Sequence, residues 1–257
     1  MAGGTSENGG ARGRRRGRAL KPGGPRMLGV ADERHGPLPA LLLALTFVTG
    51  LVDAVSFLTL GHVFVANMTG NVVFLGLALV GTKDVSLGGT LLSVVAFMAG
   101  ALLGGKLGMT FGHHRGRFLA VAVTIETCLA AAAWILSVTF GTGAQAAYGL
   151  MGLLALAMGL QNATARRLAV PDLTTTVLTL TLTGLAADAP LAGAAGSNML
   201  RRLLAVITML LGAAAGAGLI FSAGVAAAIG TSAALLLLLA IVSSRLSSST
   251  SPWTAGA

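Results

Sequence analysis

The sequence predicts an all-α, polytopic transmembrane helix bundle: about six full spans, two broken or re-entrant segments, and two related halves arranged as an inverted repeat. Three observations lead there. The chain is 54% hydrophobic and only 10% charged, against about 25% charged residues in an ordinary soluble domain. Several apolar runs reach the roughly 20 residues that a helix needs to cross a bilayer. The pentapeptide Gly50-Leu51-Val52-Asp53-Ala54 recurs as Gly159-Leu160-Gln161-Asn162-Ala163, at matched places in two apolar segments.

Residues 1–36 read as a disordered basic leader. Arg12, Arg14, Arg15, Arg16, Arg18, Lys21, Arg26 and Arg34 all precede the first apolar segment, in a stretch rich in Gly and Pro with too little apolar surface to fold. Much of the net charge of +9 is therefore a cytoplasmic tail that sets topology and touches anionic lipid, and no nucleic-acid partner is implied. Met27 is an alternative start, which would remove residues 1–26. The apolar stretch from Leu38 is long and lacks a clear small-residue cleavage site, which argues against a secretory signal. Residues 37–243 form the transmembrane domain, with halves at about 37–141 and 145–243, and 244–257 is a short polar tail. Cys128 is the only cysteine, so neither an intrachain disulfide nor a thiolate metal site is expected.

The apolar segments are 38–60, 63–81, 87–109, 118–140, 145–165, 173–187, 202–222 and 224–243. Two are unusual. The second contains Asn67-Met68-Thr69-Gly70-Asn71, and the sixth is short and rich in threonine (Thr174, Thr175, Thr176, Thr179, Thr181, Thr183). If all eight crossed, Arg115, Arg117, Arg166 and Arg167 would face outward, against the positive-inside tendency. If the second and sixth enter and leave on one side, those residues join the leader, Arg201, Arg202 and Arg245 inside, and Lys83 alone is clearly outside. Charge selects six spans, with both termini cytoplasmic, although 63–81 is long enough to cross.

With three spans per half, the second half is turned upside down relative to the first. Further matches support the duplication. Met68-Thr69-Gly70-Asn71-Val72 aligns with Leu178-Thr179-Leu180-Thr181-Leu182. The GxxxG pair Gly100/Gly104 in the third segment answers Gly212/Gly216 in the seventh. Small residues at that spacing let helices approach closely where lipid provides no hydrophobic drive. Inverted repeats with broken helices are a recurrent layout of secondary transporters.

Candidate functional residues are the polar groups stranded at membrane depth, where they are expensive and usually functional. Thr46, Thr49, Asp53 and Ser56 share one helical face, and Asp53 reads either as a proton or cation site or as a cap on the broken second segment, bonded there or to Asn71. Asn67, Thr69 and Asn71 read as substrate ligands at a helix break or as amide glue between helices. Glu126 lies near the centre of its segment, with no basic residue inside that segment to pair with, and reads either as a second protonatable site or as a neutral carboxylic acid bonded to a neighbouring helix. Gln161 and Asn162 are the second-half counterpart of Asp53, and Thr179 and Thr181 that of Thr69 and Asn71. An amide cannot titrate, so only the first half could exchange a proton at this position. His62 reads as interfacial, and His113 and His114 as solvated loop residues. Nucleophile, zinc and phosphate-loop motifs are absent, so neither an enzyme nor a cofactor is expected.

Thr49-Gly50-Leu51-Val52-Asp53-Ala54-Val55-Ser56-Phe57, Val63-Phe64-Val65-Ala66-Asn67-Met68-Thr69-Gly70-Asn71 and Gly159-Leu160-Gln161-Asn162-Ala163 together resemble the YoaK family of bacterial inner-membrane proteins, over roughly residues 38–243. The resemblance implies a small multi-pass protein of the bacterial inner membrane and supplies no activity. The chain departs from the family pattern at Thr179-Leu180, where members carry Thr-Gly, which puts a two-sided symmetric site in question on that side. The expected function is a secondary transporter or permease for a small solute, proton-coupled through Asp53 or Glu126. The alternative is a non-transporting scaffold or sensor whose buried polar residues tie helices together. The expected partners are the lipid bilayer and a small solute or proton, and homo-oligomerisation is left open.

Overall fold

A computed structural model describes residues 35–82, 85–171, 173, 178–187, 199–249 and 251–255. The leader through Arg34, Met27, Lys83 and Thr174–Thr176 lie outside the described residues. Eight helices follow in order: α1 (Leu38–Thr59), α2 (Met68–Leu79), α3 (Leu87–Phe111), α4 (Arg115–Phe140), α5 (Ala144–Leu168), α6 (Leu178–Ala187), α7 (Met199–Ala223) and α8 (Val225–Leu246). Six of them are long and apolar enough to cross a membrane, and α2 and α6 are the two that are not. The long helices outrun several of the apolar windows that predicted them.

Local chemistry sets many of the boundaries. Pro39 occupies the first turn of α1, where a missing N–H costs nothing. Ser86 caps α3 by accepting from the Gly89 amide at 3.1 Å. His114 caps α4 through Nδ1, which accepts from the Arg117 amide at 3.1 Å, leaving Nε2–H to donate to the Ser249 carbonyl, also at 3.1 Å. Single residues with positive φ reverse the chain after α4 (Gly141) and after α7 (Gly224). The C-terminal tail is not free-standing: Trp253 is buried against Gly36 and Gly116, at the start of α1 and of α4.

Glycine crossings establish the helix directions. A methyl on Gly50 of α1 would overlap the Met209 carbonyl of α7, and one on Gly212 or Gly216 of α7 would meet Phe47 or Leu51 of α1. Low numbers meet low and high meet high, so α1 and α7 run parallel. The same holds between α3 and α5: Gly100 meets Leu156, Gly104 meets Leu160 and Ala163, and Gly159 meets Phe97. In α4 and α8 the order is reversed, Gly116 lying by Leu246 and Gly230 by Trp134, so those helices are antiparallel. The α4–α5 pair is antiparallel too, joined by a short turn, with Gly149 against Leu136. It follows that α1 and α5 run in opposite directions, which is the inversion that charge predicts.

The two halves match residue by residue. A shift of 109 carries Phe47, Gly50, Leu51 and Ala54 onto Leu156, Gly159, Leu160 and Ala163. A shift of 112 carries Phe97, Gly100, Ala101 and Gly104 onto Met209, Gly212, Ala213 and Gly216. Each contact of α1 with α7 therefore has its counterpart between α5 and α3, as a two-fold relation between the halves requires. The halves are interleaved, since the first helix of each packs on the third helix of the other.

Backbone-to-backbone contact leaves no room for a side chain. Gly50→Ala and Gly159→Ala are expected to destabilise the bundle by roughly 1–3 kcal/mol each, as overpacking does. Gly76→Ala on α2, where nothing approaches the added methyl, should stabilise it by about 0.5–1 kcal/mol through helix propensity. Thermal melts of the detergent-solubilised variants check this, and equal effects at all three positions would contradict the interleaved packing.

Candidate functional site

The break between α1 and α2 is built by two side chains. Asp53, on the penultimate turns of α1, accepts through Oδ1 from the amides of Val65 (3.2 Å) and Ala66 (2.9 Å). Asn71 of α2 accepts from the Phe64 amide (2.9 Å) and donates through Nδ2 to the Phe64 carbonyl (2.6 Å). Asp53 and Asn71 thus pin one loop from opposite sides and do not bond each other, contrary to one of the sequence expectations. The loop is drawn back to the level of Asp53, roughly 9 Å below the end of α1 at ~1.5 Å per residue. Helix α2 therefore starts inside the membrane, and the apolar run from residue 63 becomes a descending loop followed by a half-helix. Asn67 is not part of that helix. It caps α2, its Oδ1 accepting from Gly70 at 3.4 Å.

Helix α6 resembles α2 in what it buries. Asn71 and Thr181, which align in the repeat, are the residue each half-helix buries, at 0% and 7% exposure. Gly70 leaves room for the Phe64 ring, whereas its counterpart Leu180 is 71% exposed and turned away from the bundle. The departure from Thr-Gly therefore does not push a side chain into the interior.

The polar stripe of α1 faces inward and is largely satisfied by its own helix. Thr46 and Thr49 donate to the carbonyls of Leu42 and Leu45, and Ser56 to that of Asp53. The stripe also ties the halves together, as Gln161 Nε2 donates to Thr49 Oγ1 at 2.7 Å. Gln161 Oε1 and both carboxyl oxygens of Glu126 are buried with no hydrogen-bond partner among the described residues, so Glu126 is not bonded to a neighbouring helix there, contrary to one of its two sequence readings. Asn162 donates to the Met158 carbonyl of its own helix at 2.8 Å.

Two vestibules flank the starts of α2 and α6. One, about 430 Å³, lies between α1 and α7 and includes Asp53, Ala54, Phe57 and Leu58 from α1. The other, about 1320 Å³, lies between α5 and α3 and includes Asn162, Ala163, Arg166 and Arg167 from α5. These are the same four positions under the shift of 109. The opposite walls correspond as well, Met209, Ala213 and Ala217 answering Phe97, Ala101 and Gly105. Both vestibules lie toward the C-terminal ends of their helices. Because α1 and α7 run opposite to α3 and α5, the hollows fall on opposite sides of the bundle. Asn67 and Thr179, at the starts of the two half-helices, line both. Thr69 lines the larger one. A further hollow of about 530 Å³ at the α4–α5 turn includes Leu136 and Phe140 and holds none of the predicted site residues.

The structure thus gathers Asp53, Asn67, Thr69, Asn162 and Thr179 around the two vestibules. Asn71 and Gln161 brace the surrounding helices, Thr181 is buried on α6, and Glu126 stands apart within α4. Sequence reading assigned Arg166 and Arg167 to topology alone and missed their place in a vestibule. It also missed an aromatic cluster: Phe57 stacks on Phe64 (ring centroids 5.1 Å apart), Phe74 joins both, and His62 meets Phe57 edge-on at 5.2 Å. The i, i+4 spacing of Arg166 and Arg167 from Asn162 and Ala163 was the available signal, once α5 was known to line a hollow. Among the described residues, no group of three or more His, Cys, Asp or Glu residues is arranged to hold a metal ion.

These features define a multi-pass membrane protein built as an inverted repeat around two re-entrant half-helices. The chain belongs to the family described as "Protein of unknown function (DUF1275)", which matches residues 41–242. It is 35% identical over 152 residues to UPF0700 transmembrane protein YoaK of Bacillus subtilis (strain 168), a match covering 58% of this chain and 65% of the relative, just under two thirds of its length. No solved structure matches the chain.

The bonds that Asp53 makes need an acceptor oxygen and no charge, and Asn162 already occupies the equivalent place in the other half. Asp53→Asn is therefore expected to keep the fold with little change in melting temperature. Asp53→Leu leaves two buried amides unpaired, at about 1–3 kcal/mol each, and should melt well below it. Glu126→Leu removes a buried carboxyl group with no partner, so its melting temperature should be unchanged or higher. A large fall for Glu126→Leu would reveal a structural role.

Proposed function

We propose that this protein is a secondary transporter or permease that moves a small solute by alternating access between the two vestibules. One observation carries the reading: two equivalent hollows on opposite sides of an inverted repeat, separated by the starts of two re-entrant half-helices at Asn67 and Thr179. In transporters built this way the substrate site lies at the repeat interface, and rocking one element against the other exposes it to each side in turn. Every Lys and Arg among the described residues lies toward the side where α1 begins, which the positive-inside tendency makes cytoplasmic, here in a bacterial inner membrane. On that assignment both termini are cytoplasmic, the larger vestibule faces the cytoplasm, and the smaller faces outward beside the Phe57–Phe64 stack. No catalytic chemistry is assigned.

Proton coupling, on this reading, belongs to Glu126 rather than Asp53. Asp53 is committed to the α1–α2 loop, whereas Glu126 has no hydrogen bond to any described residue and would exchange a proton when helix movement admits water. The competing reading is a non-transporting scaffold, and it is favoured by the bonding of Asp53, Asn71 and Gln161, each of which ties backbone or helices together.

Cysteines at the equivalent positions Gly105 and Ala217, in a Cys128→Ser background, separate the two readings. Impermeant maleimide is expected to reach Gly105→Cys from the cytoplasmic side and Ala217→Cys from the outer side. A bulky adduct at Gly105→Cys should hold that vestibule open and slow labelling of Ala217→Cys several-fold. Independent labelling rates would sink alternating access. In proteoliposomes, uptake driven by a proton gradient should lose that drive in Glu126→Gln and keep it in Asp53→Asn, and an undiminished drive in Glu126→Gln would remove Glu126 from coupling.

A further inference from the structure

Resting on the transport reading for its biological sense, a chemical asymmetry between the two vestibules points to the class of ligand. We propose that the α3–α5 vestibule binds an anionic oxygen group, a carboxylate or phosphate, through Arg166 and Arg167. The equivalent positions in the other vestibule are Phe57 and Leu58, so the shared scaffold does not demand basic residues there.

Further features agree. Arg167 lies across Gly108 of α3, where a methyl would collide with its Cδ and Nε, while both arginines remain exposed. The described residues include two carboxylates, Asp53 and Glu126, and neither lines this vestibule. Arg166 and Arg167 make no hydrogen bond or ion pair with any described residue, so their positive charge is unanswered from within the described fold. Asn162, which replaces Asp53 in this half, brings an amide into the vestibule where the other carries an acid. The first turn of α2 enters the same space at Met68, Thr69 and Gly70; the Asn67 cap takes the Gly70 amide, and the positive end of the helix dipole there suits an anion. Topology alone would need basic residues on this face, a need that Arg115 and Arg117 also serve. It does not account for a guanidinium pair in the wall of a hollow about 1320 Å³ in size. Arginine is the residue suited to forked recognition of carboxylate and phosphate.

The test uses the full chain, purified in detergent, with inorganic phosphate and succinate as anionic probes, glycerol as the neutral probe and choline as the cationic one, all at fixed ionic strength. Phosphate or succinate should raise the melting temperature in a saturable manner. In the double variant Arg166→Gln/Arg167→Gln, apparent affinity should fall by roughly tenfold or more, and Arg166→Lys/Arg167→Lys should recover part of it. Size-exclusion profiles and melting temperatures without probe verify that the variants are folded. A second arm compares nanodiscs of phosphatidylcholine with nanodiscs that also contain phosphatidylglycerol. Stabilisation by free anion assigns a soluble ligand. Stabilisation by phosphatidylglycerol alone, lost in the Gln variant, assigns a lipid headgroup to the same site. Anion effects equal in wild type and the Gln variant, or a response only to glycerol or choline, or no response in either arm, would overturn the proposal. Anion binding without uptake in proteoliposomes would leave this site standing and remove transport. Uptake of a neutral solute that the Gln variant leaves intact would do the reverse.

Discussion

Backbone contact through four glycines at two crossings, α1 on α7 and α3 on α5, is the constraint from which the rest of the architecture follows. Lipid offers no hydrophobic reward for bringing helices together, so association relies on close packing. At Gly50, Gly212, Gly100 and Gly159 the approach is close enough that a single methyl would strike a carbonyl of the neighbouring helix. Because each crossing joins the first helix of one half to the third helix of the other, neither half can separate as a unit. The same crossings bring the helices together near their middles, and a vestibule lies beside each pair toward its C-terminal ends. Helix direction places the two hollows on opposite sides.

The re-entrant half-helices depend on this frame. A backbone that stops being helical at membrane depth must find partners inside the protein, and Asp53 and Asn71 provide them for the loop that precedes α2. The carboxylate that stands out in the sequence is therefore, in the structure, an acceptor for backbone amides. Asn162, its counterpart in the other half, donates instead to the Met158 carbonyl of its own helix. Glu126 presents the opposite case: it is as deeply buried, yet neither of its oxygens is bonded to any described residue, so hydrogen bonding within the described fold gives no account of its presence.

Sequence-level evidence reached the repeat and its inversion because both are written in periodic and sided features. Gly50 and Gly159, Gly100 and Gly212, and Met68-Thr69 and Leu178-Thr179 are paired along the chain, and the basic residues identify a side without reference to packing. Part of the site was legible for a related reason: Asp53, Asn67, Asn162 and Thr179 are polar in apolar surroundings, a contrast visible in one dimension. Arg166, Arg167 and Phe57 were not legible as site residues. Arginine at the end of a span and phenylalanine within one are each ordinary, and only the neighbouring helix turns them into the wall of a hollow.

What the sequence by itself determined is thus the helical class, the six spans, the duplication and the inverted sense of the second half, all set by composition, period and charge. What the tertiary structure alone decided is which helix lies against which, that Asp53 spends its acceptor on the α1–α2 loop, and that one vestibule carries arginines where its twin carries Phe57 and Leu58. Hydropathy and charge act through the membrane, which is the same for every helix and so can be read one segment at a time. Interleaving and hydrogen bonding act between particular backbones, and those partners exist only once the halves have packed together.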